Sequence, residues 1–361
     1  MDYSKIDPNI NPKIMTPEQA MLLSDDEKLA YFYRVRVKHP RVTTVRDDLE
    51  TMMLPGSGTD IALLIGPTGA GKTTLGESLV EEIIKAHKSE LVNDLSFIPA
   101  IYISAPASGE KRFSWRIFYI ELGRLLKEPL MDKKQETRLQ DGRMSVKSVT
   151  AGSTVAGLRM AIEDALRFRR TLLVVVDEVV HLIRGANEND RLVHMDALKA
   201  LTELKGVNLT LALIGSYDLY ELMTLSGQFA RRCAIVHFQR YLSGTGNDAD
   251  KKAFRNSLGT LQEYFPLKGI PDLTEMSDEL QYACVGCVGI LKDTLQRMLT
   301  FAVRNKGRWT DKCLFKALLT EGQIARILEE TLKGEQNIAK AIFGSGSLNA
   351  ESRTSEKVAC R

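Results

Sequence analysis

Apolar residues fall in two distinct patterns along the chain. In its middle they form short continuous runs, Ile61–Ile65, Ile98–Ser104, Leu172–Val176, Leu209–Ile214 and Cys233–Phe238. Runs of this length, rich in Val, Ile and Leu and without polar alternation, predict strands buried on both faces. Between them apolar positions recur at helical spacing, over 73–86, 114–127, 154–169, 192–205 and 217–225. Strand and helix in alternation predict a parallel sheet covered by helices, a three-layer α/β/α core. Before the first run, Thr16-Pro17-Glu18-Gln19 and Ser24-Asp25-Asp26-Glu27 are capping boxes that predict two short helices, with a further helix over 42–54. From residue 250 the strand pattern stops. Helical spacing continues at 250–265, 275–283, 288–306 and 311–332, which predicts a compact helical lid. Residues 1–15 and the polar tail from 343 are expected to lack order, and 129–153 reads as a long loop or insertion. The division is then 1–54 as an N-terminal extension, 55–241 as the core, 242–333 as the lid and 334–361 as a tail.

The first run empties into Gly66-Pro67-Thr68-Gly69-Ala70-Gly71-Lys72-Thr73-Thr74, and a helical pattern follows. A strand, a glycine-rich turn of the form G-x-x-x-x-G-K-T and a helix make a phosphate-binding loop. The glycines let backbone N–H groups turn toward phosphate oxygens. Lys72 is positioned for the β- and γ-phosphates, and the Thr73 hydroxyl is a ligand for Mg²⁺. The third run ends in Asp177-Glu178. Downstream of such a loop, the aspartate is expected in the Mg²⁺ shell and the glutamate beside the water that attacks the γ-phosphate. This acidic pair favours a hydrolase over a small-molecule kinase and implies ATP with Mg²⁺.

Bulk composition narrows the picture only slightly. With 361 residues and 44% hydrophobic content the chain supports one large α/β domain and a satellite. No apolar stretch is long enough for a membrane helix and the N-terminus lacks a signal-peptide pattern, so a cytoplasmic protein is expected. Five cysteines without a secretory context read as reduced thiols, and Cys284-x-x-Cys287, with no second pair, reads as buried core. A net charge of +3 neither requires nor excludes nucleic acid.

Two finer signals follow the acidic strand. The run 209–214 ends in Gly215-Ser216, where a hydroxyl can contact the γ-phosphate or the attacking water. Arg231 and Arg232 precede the last strand, a position suited to an arginine finger acting on a neighbouring subunit's nucleotide.

The segment Gln228-Phe229-Ala230-Arg231-Arg232-Cys233 through Phe238-Gln239-Arg240-Tyr241 resembles the Q-L-A-R-R-F…L-P-R-W stretch of the TniB and TnsC proteins, the AAA+ regulator ATPases of transposons. His39-Pro40-Arg41 stands where that family has Y-P-R, and Gly286-Cys287-Val288-Gly289-Ile290-Leu291 resembles its lid motif G-x-I-G-x-L. The resemblance covers residues 35–325, and the arginine segment and lid glycines make it specific. The departures are His39 for the aromatic, Cys233 for the aromatic after the arginines, Ser216 for a sensor 1 threonine, and Ile290 where sensor 2 would place an arginine; Lys292 is the nearest substitute.

The resemblance implies an AAA+ fold of the P-loop, catalytic-glutamate (ASCE) class, with a parallel five-stranded sheet and a C-terminal helical lid. It implies slow, DNA-stimulated ATP hydrolysis and self-assembly into rings or helical filaments on duplex DNA without strong sequence preference. It also implies partners: a transposase and a target-selecting protein of the TniQ or TnsD type, alone or with an RNA-guided complex, in a bacterial nucleoid and with no membrane. The DNA-facing loops would hold Lys111, Arg112 and Arg116 after the second strand and Arg143, Lys147, Ser148 and Thr150 before the acidic strand. Such cations contact phosphates without reading bases. Arg167, Arg169 and Arg170 instead complement a helix C-terminus. The competing readings are an initiator-like or signalling AAA+ switch, a P-loop kinase, and a scaffold that binds nucleotide without hydrolysing it. The intact Lys72, Asp177 and Glu178 weigh against the last, while Ile290 favours it.

Overall fold

The computed structural model describes residues 10–54, 56–107, 109, 112–129, 135–140, 143–148, 154–225 and 227–343. The chain divides into two compact units, one of residues 46–65 and 72–237, the other of residues up to 45, 66–71 and from 238 onward.

The first unit is built on strands β1 (Ile61–Ile65), β2 (Ala100–Ser104), β3 (Gln135–Gln140), β4 (Arg143–Ser148), β5 (Leu173–Asp177), β6 (Thr210–Gly215) and β7 (Cys233–His237). Five of them form a parallel sheet in the order β2-β5-β6-β1-β7. One strand, β6, separates the glycine-loop strand from the acidic strand. Every position of β1, β5 and β6 is buried, which explains their unbroken apolar character. Helices Lys72–Ala86, Trp115–Leu125, Val155–Arg169 and Glu188–Thr202 alternate with the strands. The stretch 129–153, expected as a loop, instead contains β3 and β4 paired antiparallel. Its polar composition hid the strands, although Asp141-Gly142 between them is a favoured hairpin dipeptide.

The second unit is helical and joins three distant parts of the chain. Ile10, Ala20, Leu29, Tyr31, Phe32 and Val35 from the N-terminal part share one buried core with Phe254, Leu258, Phe265, Leu291, Leu295 and Met298. The expected N-terminal extension is therefore no appendage within 10–35. Residues 10–15 are tied in, with Ile10 buried and its carbonyl accepting from Arg34 at 2.6 Å. Residues 1–9 lie outside the described part. The later helices are Asp248–Glu263, Ser277–Ala283, Val288–Arg304, Asp311–Ala317 and Glu321–Phe343. The single helix expected over 311–332 is two helices. Thr320 and Gln323 form a capping box that restarts the chain as a helix. That helix passes the expected lid boundary and runs to Phe343, held at Glu335 by a two-pronged pair with Arg240 at 2.9 and 3.1 Å. The tail expected beyond 343 lies outside the described residues. Cys284 and Cys287 are buried free thiols, as expected. Among the described residues no helix is long and apolar enough to cross a membrane.

Candidate nucleotide site

The sheet unit brings four functional groups to the C-terminal ends of β5 and β2. Asp177 ends β5 and is buried. Its Oδ2 accepts from the Thr73 hydroxyl at 2.6 Å and from the Tyr102 hydroxyl at 2.6 Å, and its Oδ1 accepts from the Glu178 backbone N–H at 2.7 Å. The one hydroxyl proton of Thr73 is used on Asp177, so its lone pairs remain for a cation. A hydroxyl and a carboxylate at this separation are the hard oxygen donors that Mg²⁺ prefers. Among the described residues no three acidic, His or Cys groups form a metal cage. Glu178 is exposed and takes a left-handed backbone conformation (φ 54°). Non-glycine residues rarely adopt it, and such strain concentrates at functional sites. Lys72 and Thr73 open the helix Lys72–Ala86, and Thr74 lies one residue on.

Ser216 follows β6, and its Oγ donates to Asp218 at 3.2 Å. Of the two arginines, Arg232 is bound within the unit, to Glu203 at 2.9 Å and Asp60 at 3.2 Å. The Arg231 side chain is exposed. The two arginines at the expected finger position thus differ: Arg232 is a structural cation and Arg231 faces outward.

The glycine loop 66–71 belongs to the helical unit. Gly69 and Gly71 have φ of 74° and 104°, which only glycine adopts without strain. A Cβ on Gly66 would lie 2.4 Å from the Phe238 carbonyl oxygen. The Ala70 N–H closes a turn on the Pro67 carbonyl at 3.3 Å, and Thr68 is exposed. The loop is gripped from the start of the helix Val288–Arg304. A Cβ on Gly289 would sit 2.3 Å from the Gly69 carbonyl oxygen, and one on Gly69 would sit 2.4 Å from Ile290 Cγ1. The position that the resemblance reserves for a sensor 2 arginine is therefore an apolar contact on the loop. Lys292 does not replace it, because its ammonium donates to the Tyr33 carbonyl at 2.7 Å and lies over the Tyr33 ring.

The expected DNA contacts are dispersed. Arg112 is exposed and pairs with Asp190 at 3.5 Å. Arg116 lies on the first turn of the helix Trp115–Leu125. Arg143 and Lys147 fall on β4, opposite Gln140 and Glu136, so they stand on a strand and not in a loop. Lys111 and Thr150 lie outside the described residues. Arg169 donates to the carbonyls of Leu126, Ser96 and Lys127, and Arg170 pairs with Asp94. These two arginines brace the core. Sequence reasoning missed Tyr102. It sits in a strand as an ordinary β-forming aromatic, and no motif marks it.

Comparison with known proteins decides the fold. Residues 56–223 match the family model of an AAA domain. The ORC1 protein of Aeropyrum pernix, solved in complex with DNA, matches with a TM-score of 0.53 at 17% identity, over 82% of this chain and 67% of that one. The ORC2 protein of the same organism in its ADP form matches with a TM-score of 0.52 at 16% identity, over 77% of this chain. The fold is AAA+. The matched part of this AAA+ chain spans only 66% of that ORC2 chain's length. No curated protein matches it in sequence. The AAA-domain match ends before Arg231 and the lid glycines, so it bears on the Thr73–Asp177–Glu178 cluster and not on Arg231.

Proposed function

We propose that the protein is an ATP-hydrolysing switch that binds Mg²⁺ and ATP, assembles on duplex DNA, and couples target selection to a transposase. One observation carries the nucleotide chemistry: the Thr73 hydroxyl on the buried Asp177 carboxylate, with an exposed, strained Glu178 next in the chain. Bound Mg²⁺ would neutralise charge on the β- and γ-phosphates. Thr73 and Asp177 would hold it, Lys72 would reach the phosphates, and Glu178 would orient water. The residues 66–71 supply the backbone cradle. Assembly is supported by Arg231, which is exposed while Arg232 is held within its own unit. The transposition role rests on the resemblance of residues 228–241 and 286–291 to the TniB and TnsC family. A second reading, a replication-initiator-like ATPase, is favoured by the ORC1 match, since that protein was solved in complex with DNA.

The deciding experiment follows ATP turnover and particle size together, with and without nonspecific duplex DNA. Turnover stimulated by DNA, with ATP-dependent assembly, supports the proposal. ATP binding with neither response removes the DNA role. Lys72→Ala should abolish nucleotide binding. Glu178→Gln should bind ATP, stall turnover and hold the assembly on DNA; rapid disassembly of that variant with ATP would remove Glu178 from the water-orienting role. The two DNA readings separate when purified transposase is added: only a transposition regulator retains it on the ATP-bound assembly.

A further inference from the structure

Two bonds tie the end of β2 to Asp177. The Ala105 N–H, just past the strand, donates to the Asp177 carbonyl at 2.8 Å. The Tyr102 hydroxyl, from within the strand, donates to Asp177 Oδ2 at 2.6 Å. That oxygen also accepts from Thr73 at 2.6 Å, so one carboxylate oxygen is the meeting point of two hydroxyls from two different elements. The phenol ring has little freedom to leave. Gly76, in the helix that Lys72 opens, faces the same sheet: a Cβ there would overlap Ile214 Cδ1 at 2.5 Å and lie at contact distance, 3.4 Å, from Tyr102 Cε2.

We propose that Tyr102 is a positioning residue for the metal site, holding Asp177 Oδ2 where it takes the Thr73 proton and leaves the Thr73 lone pairs for Mg²⁺. The inference rests on the nucleotide-site reading above and adds to it a group outside both sequence motifs. Groups that orient metal ligands in this way typically alter metal affinity by about 10–100-fold when removed. Tyr102→Phe deletes the hydroxyl and keeps the ring that packs beneath Gly76.

The test uses the full chain and ADP, titrated once in EDTA and once in excess Mg²⁺, beside a thermal melt. In Tyr102→Phe the affinity in EDTA should match the parent within about twofold, while the gain in affinity that Mg²⁺ confers should fall about tenfold. The melting temperature should stay within a few degrees. Asp177→Asn should lose most of the Mg²⁺ gain by itself, and adding Tyr102→Phe to it should change nothing further. An unaltered Mg²⁺ gain in Tyr102→Phe overturns the proposal. So does an equal loss of affinity with and without Mg²⁺, or loss of a cooperative melt, because either assigns the tyrosine to packing. If the parent chain binds ADP under neither condition, the nucleotide-site reading itself fails.

Discussion

In the sheet unit Asp177 is held by three separable hydrogen bonds, from Thr73, Tyr102 and the Glu178 backbone. In the helical unit Gly69 and Gly289 meet with no side chain between them, and Gly286 lies closer still to Tyr241. The first arrangement can be weakened one donor at a time, each worth about 1–3 kcal/mol because the acceptor is charged. The second admits no partial loss at Gly289 or Gly286, since a Cβ on either would overlap a backbone oxygen. Polar chemistry therefore sits where it can be tuned, and the glycine loop is gripped by contacts that either exist or do not.

The largest effect expected from breaking this contrast is at Gly286. It has φ 70°, a Cβ there would lie 1.9 Å from the Tyr241 carbonyl oxygen, and its own carbonyl accepts from the Tyr241 N–H at 2.9 Å. Gly286→Ala combines left-handed strain with backbone overlap and should cost at least about 4 kcal/mol, enough to unfold the helical unit. Gly269 has a similar φ of 74° with nothing within 4 Å of its would-be Cβ. Gly269→Ala should cost only about 1–2 kcal/mol. Urea unfolding of both variants separates overlap from strain; equal losses would show that contact at Tyr241 is immaterial.

A smaller effect comes from His39, which is buried in the helical unit with Nδ1 2.9 Å from the Tyr241 hydroxyl. Burial, helped by the Arg41 charge, lowers its pKa to about 4. Between that value and the ordinary 6.5 the unfolded chain binds a proton that the folded chain does not. Stability from this group is then complete above pH 6.5 and is lost as the pH falls toward 4, by up to about 3 kcal/mol. Denaturation across pH 7 to 4.5 should show that slope, and His39→Gln should flatten it. A slope identical in the variant would place the titrating group elsewhere.

The two arginines sharpen the comparison further. Arg232 pairs with Glu203 and Asp60 while about one third exposed, so Arg232→Ala should cost about 1 kcal/mol of stability. Arg231→Ala should leave stability unchanged and, on the proposed role, remove DNA-stimulated turnover. Reversed results in melting and turnover assays would exchange the two assignments.

The sheet unit was far more legible in the sequence than the helical one. Buried parallel strands write themselves as unbroken apolar runs, and the glycine loop and Asp177-Glu178 mark their C-terminal ends, so the order of elements and the motif residues could be read directly. Helical spacing shows that an amphipathic helix exists but not which partner covers it. Nothing local in Leu29, Tyr31 and Phe32 says that they share a core with Phe254 and Leu295. For the same reason Ile290 stood out only as a missing cation, while its contact with Gly69 requires two segments distant in sequence. Tyr102 was hidden because an aromatic in a strand is ordinary, and only the position of Asp177 on the adjacent strand gives it a partner. The β3–β4 pairing was obscured by its polar composition.

The smallest expected effect carries opposite signs for the two kinds of hydroxyl in the molecule. Tyr102 and Thr73 hold a carboxylate, whereas the Tyr31 hydroxyl, inside the helical core, and the Thr171 hydroxyl, at the foot of the strand β5, are buried with no hydrogen-bond partner among the described residues. An unsatisfied buried hydroxyl costs about 1–3 kcal/mol of desolvation, part of which returns when the group is removed without changing the packing. Burial also pushes the Tyr31 phenol up to about 12, so it stays neutral and gains nothing by ionising. Tyr31→Phe and Thr171→Val should therefore be neutral or stabilise by up to about 1 kcal/mol, raising the denaturation midpoint without altering its slope. A loss of more than about 1 kcal/mol in Tyr31→Phe would mean that the hydroxyl has a partner such as ordered water. The core shared by the N-terminal helices and the lid would then contain a polar anchor.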